Sequence, residues 1–484
     1  MKNYTYKRGY LTLFAVLLIT ITSCKKSLEV DPPSNSVNLA EPIVNTVILD
    51  KMVNNIYGQC SNALFAFGGF SRGLEIMADN YQSGGTAANF LREQSLTLDP
   101  LGDSWVITNP YASFYKTIYA ANKLVEVLKT TVPNANLPQS RLTQAMVDAY
   151  ACRAISYYFL GRLWGNVPLL ITSDVIENNT IGQSNQAAVF AQVEKDLLAA
   201  RALAVAAAPT TTVYVRTQNQ INSLLAKLYL RMGRWADAST AASALISDPN
   251  YTFTTLDLAY MQKSTETIVG FGNTSAESTG NGTKMAYCFI GFRPYPGSGT
   301  TMGYATTDLL NSYEAGDQRK VKWFEVLSGV TYQKKYLHDL FYYIDIFAVP
   351  SGQEQNAVFT TLAEMYLIRA EAKANLNDLS GAAKDVNMVR TRAGLSNLPA
   401  ITDKTIMINA ILKERRLELN PSFGERWDDL CRHHLLLSVL GDATKFPNKA
   451  ANLNAGNATQ KELLPLPTTE IQKNPKLVQN PGWN

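Results

Sequence analysis

Apolar positions recur at spacings of three and four residues along most of this chain, a pattern that predicts helices. One stripe carries Phe114, Ile118, Ala121, Leu124, Val125 and Leu128, and Asn109-Pro110 opens it as a capping residue followed by a first-turn proline. A second helix is predicted over about Gln144–Trp164, where Gly165 and then Pro168 act as stop signals. Two further helical windows lie near Gln186–Ala207 and Gln220–Met232. From Leu224 onward the helices come in short-turned pairs. Gly233 divides one helix from a second that places Ala238, Ala241, Ala242 and Leu245 on a single stripe. The pattern returns over Thr361–Leu395. There Thr361 and Glu364 have capping-box spacing, Ala382, Val386, Val389 and Ala393 share one face, and Gly394 ends the helix. Laying Trp235 on Leu379 brings Ala238 opposite Ala383 after a shift of one residue. Small residues at matching places let paired helices approach closely, as in tetratricopeptide-like repeats.

Three regions break this pattern. Segments near 68–102 and 264–303 are rich in Gly, Ser, Thr and Asn with scattered aromatics. They are expected to be long irregular insertions, where ligands are often held. The third is the N-terminus, where Lys2, Lys7 and Arg8 precede an apolar run, Leu11–Ile21, that closes in Ile21-Thr22-Ser23-Cys24. This reads as an export signal, and the run falls short of the roughly 20 apolar residues a permanent spanning helix needs. A cysteine directly after small residues resembles a bacterial lipobox. The expectation is that residues 1–23 are removed, that Cys24 is acylated, that 24–36, with Pro32 and Pro33, is a tether, and that 37–484 is one domain. Acyl chains add about 0.8 kcal/mol of anchoring per buried methylene.

Composition narrows the chemistry. The net charge of +4 is spread along 484 residues without basic runs, so a nucleic-acid footprint is not indicated. Past the tether, Cys60, Cys152, Cys288 and Cys431 are far apart and form no CxxC pair. An oxidising exterior would allow pairing, although Cys152 lies in an apolar helical pattern that suits a buried thiol. The three histidines, His338, His433 and His434, give no metal or nucleophile motif, and no cofactor is expected. Carboxylates cluster at Glu414, Glu418, Glu425, Asp428 and Asp429. Two of them could serve glycoside hydrolysis if held at the right separation. They alternate with Lys413, Arg415, Arg416, Arg426 and Arg432, which favours structural ion pairs. Aromatic and amide side chains in the two insertions suit stacking on the C–H faces of sugars: Asn80, Tyr81, Phe90 and Arg92 in the first, Tyr287, Phe292, Arg293 and Tyr295 in the second. The same residues would equally serve as plugs that pin loops to helices.

Seven stretches, taken in order, resemble the SusD/RagB family. They are AMVDAYACRAISYYFLGRLWGNVPLL (145–170), TTDLLNSYEAGDQR (306–319), KKYLHD (334–339), LAEMYLIRAEAKANL (362–376), VNMVRTRAGL (386–395), ERRLELNPSFGERWDDLCR (414–432) and LLPLPTTEIQKNPKLVQNPGW (463–483). The family's glycine-histidine-arginine-tryptophan run stands here as Gly424-Glu425-Arg426-Trp427. The resemblance implies a mainly α fold, with about four tetratricopeptide-like helix pairs forming a cradle for a loop-rich binding part. It implies an outer-membrane lipoprotein that captures glycans, or in some members peptides, and passes them without chemistry to a TonB-dependent β-barrel of the SusC type. Lys25 and Lys26 stand where surface-displayed members often carry acids, so display on the exterior face is less firmly implied than membrane attachment. A glycan-degrading enzyme using the 414–429 carboxylates and a protein-binding helical scaffold are the readings outside this class.

Overall fold

The computed structural model describes residues 43–65, 69–84, 87–206, 217–261, 264–271, 303–327, 329–336, 357–454 and 456–483. From Val44 onward the chain forms one unit in which helices pack on helices. The principal helices are α1 (Thr46–Phe65), α2 (Gly69–Met77), α3 (Ala88–Ser95), α4 (Asn109–Thr130), α5 (Gln139–Trp164), α6 (Gln186–Leu203), α7 (Gln218–Arg231) and α8 (Trp235–Ile246). They are followed by α9 (Leu362–Asn375), α10 (Leu379–Arg392), α11 (Lys404–Leu419) and α12 (Glu425–Arg432). Among the described residues the strands form four short two-stranded antiparallel ribbons.

The centre of the molecule is α5. Its residues are buried on every side from Ala151 to Trp164, because α1, α4 and α6 all pack against it. Phe159 lies among the rings of Phe114 (5.4 Å), Phe359 (5.7 Å), Phe70 (6.1 Å) and Phe423 (6.5 Å), so one side chain joins four separate parts of the chain. The C-terminal segment satisfies groups at the end of α5. The Leu464 N–H donates to the Leu163 carbonyl (2.7 Å), and Asn480 Nδ2 donates to that of Trp164 (2.9 Å). Gly165 leaves the helix with φ +74°.

The paired helices match more closely than their sequences indicate. Thr217, Gly233, Ala238, Ala242 and Leu245 of the α7–α8 hairpin correspond, without insertion or deletion, to Thr361, Asn377, Ala382, Val386 and Val389 of α9–α10. The partner of Ala238 is therefore Ala382, and the one-residue shift is not needed. Both turns use a left-handed residue at the same place, Gly233 (φ +67°) and Asn377 (φ +67°). All three stripe residues of each hairpin are fully buried, and α8 packs on α9, so the two hairpins stack.

Other boundaries differ from the reading of the sequence. Thr108 is already helical, as the last residue of a π-turn over Ser104–Thr108, so Asn109 does not cap α4. α5 begins at Gln139, directly after Pro138, one turn earlier than its apolar stripe indicates. The capping box at Thr361 is half made: its hydroxyl takes the Glu364 N–H, but the Glu364 carboxylate pairs with Lys227. The complete box is at Thr217 and Gln220. Residues 68–102 are not one irregular insertion, since α2 and α3 fall within them. Gly73 stands on α2 because a Cβ there would lie 2.4 Å from Val106. In the second insertion, residues 267–271 form a strand and 272–302 lie outside the described residues.

Candidate functional site

Strand Thr267–Phe271 pairs with Ala357–Thr361, which sets Phe271 opposite Ala357. Tyr304–Ala305 pairs with Tyr81–Gln82. The segment carrying Tyr287, Phe292, Arg293 and Tyr295 is thus tied at one end to the first ribbon and at the other to the second. The segment 337–356 rejoins the first ribbon at Ala357, beside the point where 272–302 departs. That second segment contains Phe341, Tyr342 and Tyr343, an aromatic run that a search keyed to Gly and Ser passes over. Tyr287, Phe292, Arg293 and Tyr295 lie outside the described residues, as do Cys24, Cys288 and His338.

Of the candidates from the first insertion, Asn80, Tyr81 and Phe90 are turned inward and Arg92 is half-buried. Asn80 is fully buried; its Nδ2 donates to Glu75 Oε2 (2.6 Å), and its Oδ1 accepts from Arg416 Nε (2.8 Å). Tyr81 is buried on the ribbon. Phe90 is buried under the Arg72 guanidinium, 4.1 Å from its ring centre, and packs on Trp105. Arg92 grips the buried Asp103 through Nε (3.0 Å) and Nη2 (2.6 Å). These four residues therefore act as pins between elements. Composition does not separate them from ligand contacts, because their burial depends on how α3 and the segment after α2 pack on the rest of the chain.

Beneath the ribbons lies a polar layer. Glu75 accepts from Asn80 and from the Ser422 N–H (3.1 Å), yet its burial pushes the carboxyl up to about 7. Lys335 donates to the carbonyls of Glu418 (2.6 Å) and Asn420 (3.1 Å) and lies 4.3 Å from the ring centres of Tyr260 and Trp323. Burial pushes its ammonium down to about 7, against the pull of Glu418.

The carboxylate cluster on α11 and α12 is part of the frame. Glu414 pairs with Arg319 (2.7 Å) and Arg390 (3.4 Å), and Glu418 with Arg392 and Arg319 (3.2 Å). Glu425 meets Arg162 (2.9 Å), Lys227 (3.1 Å) and Arg415 (3.5 Å), while Asp429 meets Arg415 (2.8 Å) and Arg432 (2.7 Å). Burial alone would raise the Glu425 carboxyl, but Lys227, Arg162 and Arg415 hold it at about 2. All of these acids are buried, so no sugar can be placed between any two of them, and hydrolysis by this cluster has no geometric support. His433 and His434 hydrogen-bond Glu371 (2.9 Å) and Glu462 (2.8 Å). Cys60, Cys152 and Cys431 are buried free thiols. Among the described residues no acidic, cysteine and histidine group could hold a metal ion.

Two family models match, and together they span most of the chain. One, described as "Starch-binding associating with outer membrane", matches residues 26–230; the other, the SusD family, matches residues 265–483. The chain belongs to the SusD family. SusD-like protein P2 of Formosa agariphila is 24% identical, over 98% of this chain and all of that protein. The fold is that of solved SusD structures. A SusD superfamily protein from Bacteroides vulgatus superposes with a TM-score of 0.73 at 17% identity, covering 92% of this chain and 100% of its own. A laminarin-binding SusD-like protein also gives 0.73, at 22% identity, covering 90% and 99%. Within this SusD-like chain the motif Glu414–Arg432 is the hub of the buried ion pairs, which accounts physically for its density of charge.

Proposed function

We propose that this SusD-like chain is an outer-membrane lipoprotein, acylated at Cys24, that captures a glycan and delivers it unchanged to a SusC-like TonB-dependent β-barrel. The observation that best supports this reading is the pair of ribbons that bracket its aromatic-rich stretch in sequence. The stretch holding Tyr287, Phe292, Arg293 and Tyr295 runs in sequence from strand Thr267–Phe271 to strand Tyr304–Ala305, each part of a ribbon, and the helical frame is threaded with buried ion pairs. The starch-binding description of the matching model and the laminarin-binding neighbour support a glycan as the cargo. Stacking of a sugar on an exposed ring, with hydrogen bonds from Arg and Asn, gives affinity without a reactive group. The lipobox-like sequence at Cys24 supports the anchor, and no described helix is long and apolar enough to cross a membrane.

The test is binding of the purified chain across a panel of polysaccharides and peptides. Saturable binding of one glycan class is expected, weakened at least tenfold by Tyr287→Ala or Tyr295→Ala with the unfolding midpoint unchanged. Binding of peptides alone, or glycan binding indifferent to both substitutions, would overturn the assignment of cargo or of site.

A further inference from the structure

Arg426, the second residue of α12, differs from every other arginine among the described residues: its side chain makes neither a hydrogen bond nor an ion pair. Its Nε is buried without a partner, although the residue as a whole reaches the surface. A guanidinium presents five donors in a fixed fork, and leaving them desolvated and unmatched is costly.

Its surroundings do not supply the missing acceptor. Arg416 is committed to Asp308 (2.8 Å) and, through Nε, to Asn80. Lys449 pairs with Asp79 (3.3 Å), and the exposed Lys445 approaches Asp308 (3.6 Å). Asp429, the other acid that acts on Arg426, is already shared between Arg415 and Arg432. Four cations therefore face two carboxylates, Asp79 and Asp308. Burial, and after it the neighbouring Arg416, push the Arg426 guanidinium down to about 9, as expected for a cation lacking a counter-charge.

We propose that Arg426, Arg416, Lys445 and Lys449 form a binding site for one oxyanion group: a sulfate, phosphate or carboxylate. Such a group offers several acceptor oxygens to a planar fork and supplies the negative charge the cluster lacks. The site opens to solvent at Lys445. It also adjoins the ribbon that anchors the aromatic segment, since Asp79 and Thr306 are joined by a hydrogen bond (2.9 Å) immediately beside the paired strands. The anion could therefore be a free ion or a charged substituent on a bound glycan.

Calorimetric titration of the full chain with sodium sulfate, at constant ionic strength set with sodium chloride, tests the proposal without depending on the identity of the cargo. Saturable binding at one site is expected. Arg426→Gln should weaken it on the order of tenfold or more, and Lys445→Ala, an exposed position that the fold does not need, should weaken it measurably. Parallel titrations with a sulfated or uronic-acid oligosaccharide and with a neutral one of equal length separate the two sources. Tighter binding of the charged sugar than of sulfate identifies a glycan substituent, and binding of sulfate alone identifies a structural ion. Absence of saturable binding by any anion, or binding that both substitutions leave intact, would overturn the site.

Discussion

Burial holds a proton on Glu75 up to a pH of about 7, whereas in the unfolded chain the carboxyl ionises near 4.5. Between those values the folded chain binds the extra proton, so stability falls as pH rises through the window. Glu93, buried against Arg72 and raised to about 7, acts in the same sense. Thermal unfolding followed from pH 5 to 7 should show this decline. Glu75→Gln, which keeps an acceptor for the Ser422 N–H and never ionises, should make it shallower while Glu93 keeps its share. Glu425 has the opposite sign. Its folded value of about 2 lies below 4.5, so its contribution is present above pH 4.5 and is lost as the pH drops toward 2. Glu425→Gln leaves Arg162, Lys227 and Arg415 without their shared carboxylate, at a cost of about 3–5 kcal/mol in denaturant unfolding. Glycan binding by the folded fraction should survive that substitution. Appearance of glycan turnover in the parent chain that disappears in the variant would instead restore the enzyme reading.

At the level of elements, stability rests on close approach. Gly424 enters α12 with φ +77°, and a Cβ there would lie 2.5 Å from Leu74 of α2. Gly424→Ala should therefore cost at least about 1–2 kcal/mol, read as a lower denaturant midpoint with unchanged slope. Ala238→Leu or Ala382→Leu would overpack the stacked hairpins by about 1–3 kcal/mol each. The alanine stripes were legible beforehand because a 3.6-residue period survives in any sequence that must bury one helix face. What the sequence hid depends on contacts between distant segments. Gly73 on α2 looks like a loop residue until Val106 is seen to press on it, and the Glu364 carboxylate looks like half of a capping box until Lys227 claims it.

Across the whole molecule, the charged motif of α11 and α12 ties the helical frame together through buried ion pairs. The family and its helical fold were readable from seven ordered stretches. The binding candidates were only partly so, since Asn80, Tyr81 and Phe90 share the composition of a binding loop while being buried. Cys24→Ala should move the chain from the membrane to the soluble fraction of the envelope, and loss of palmitate labelling would accompany the shift. Delivery to a transporter is the claim on which the account turns. Affinity purification of the tagged chain from gently solubilised native outer membranes tests it most directly. An equimolar TonB-dependent β-barrel retained through washing is the predicted result; recovery of the chain without any β-barrel partner would contradict it.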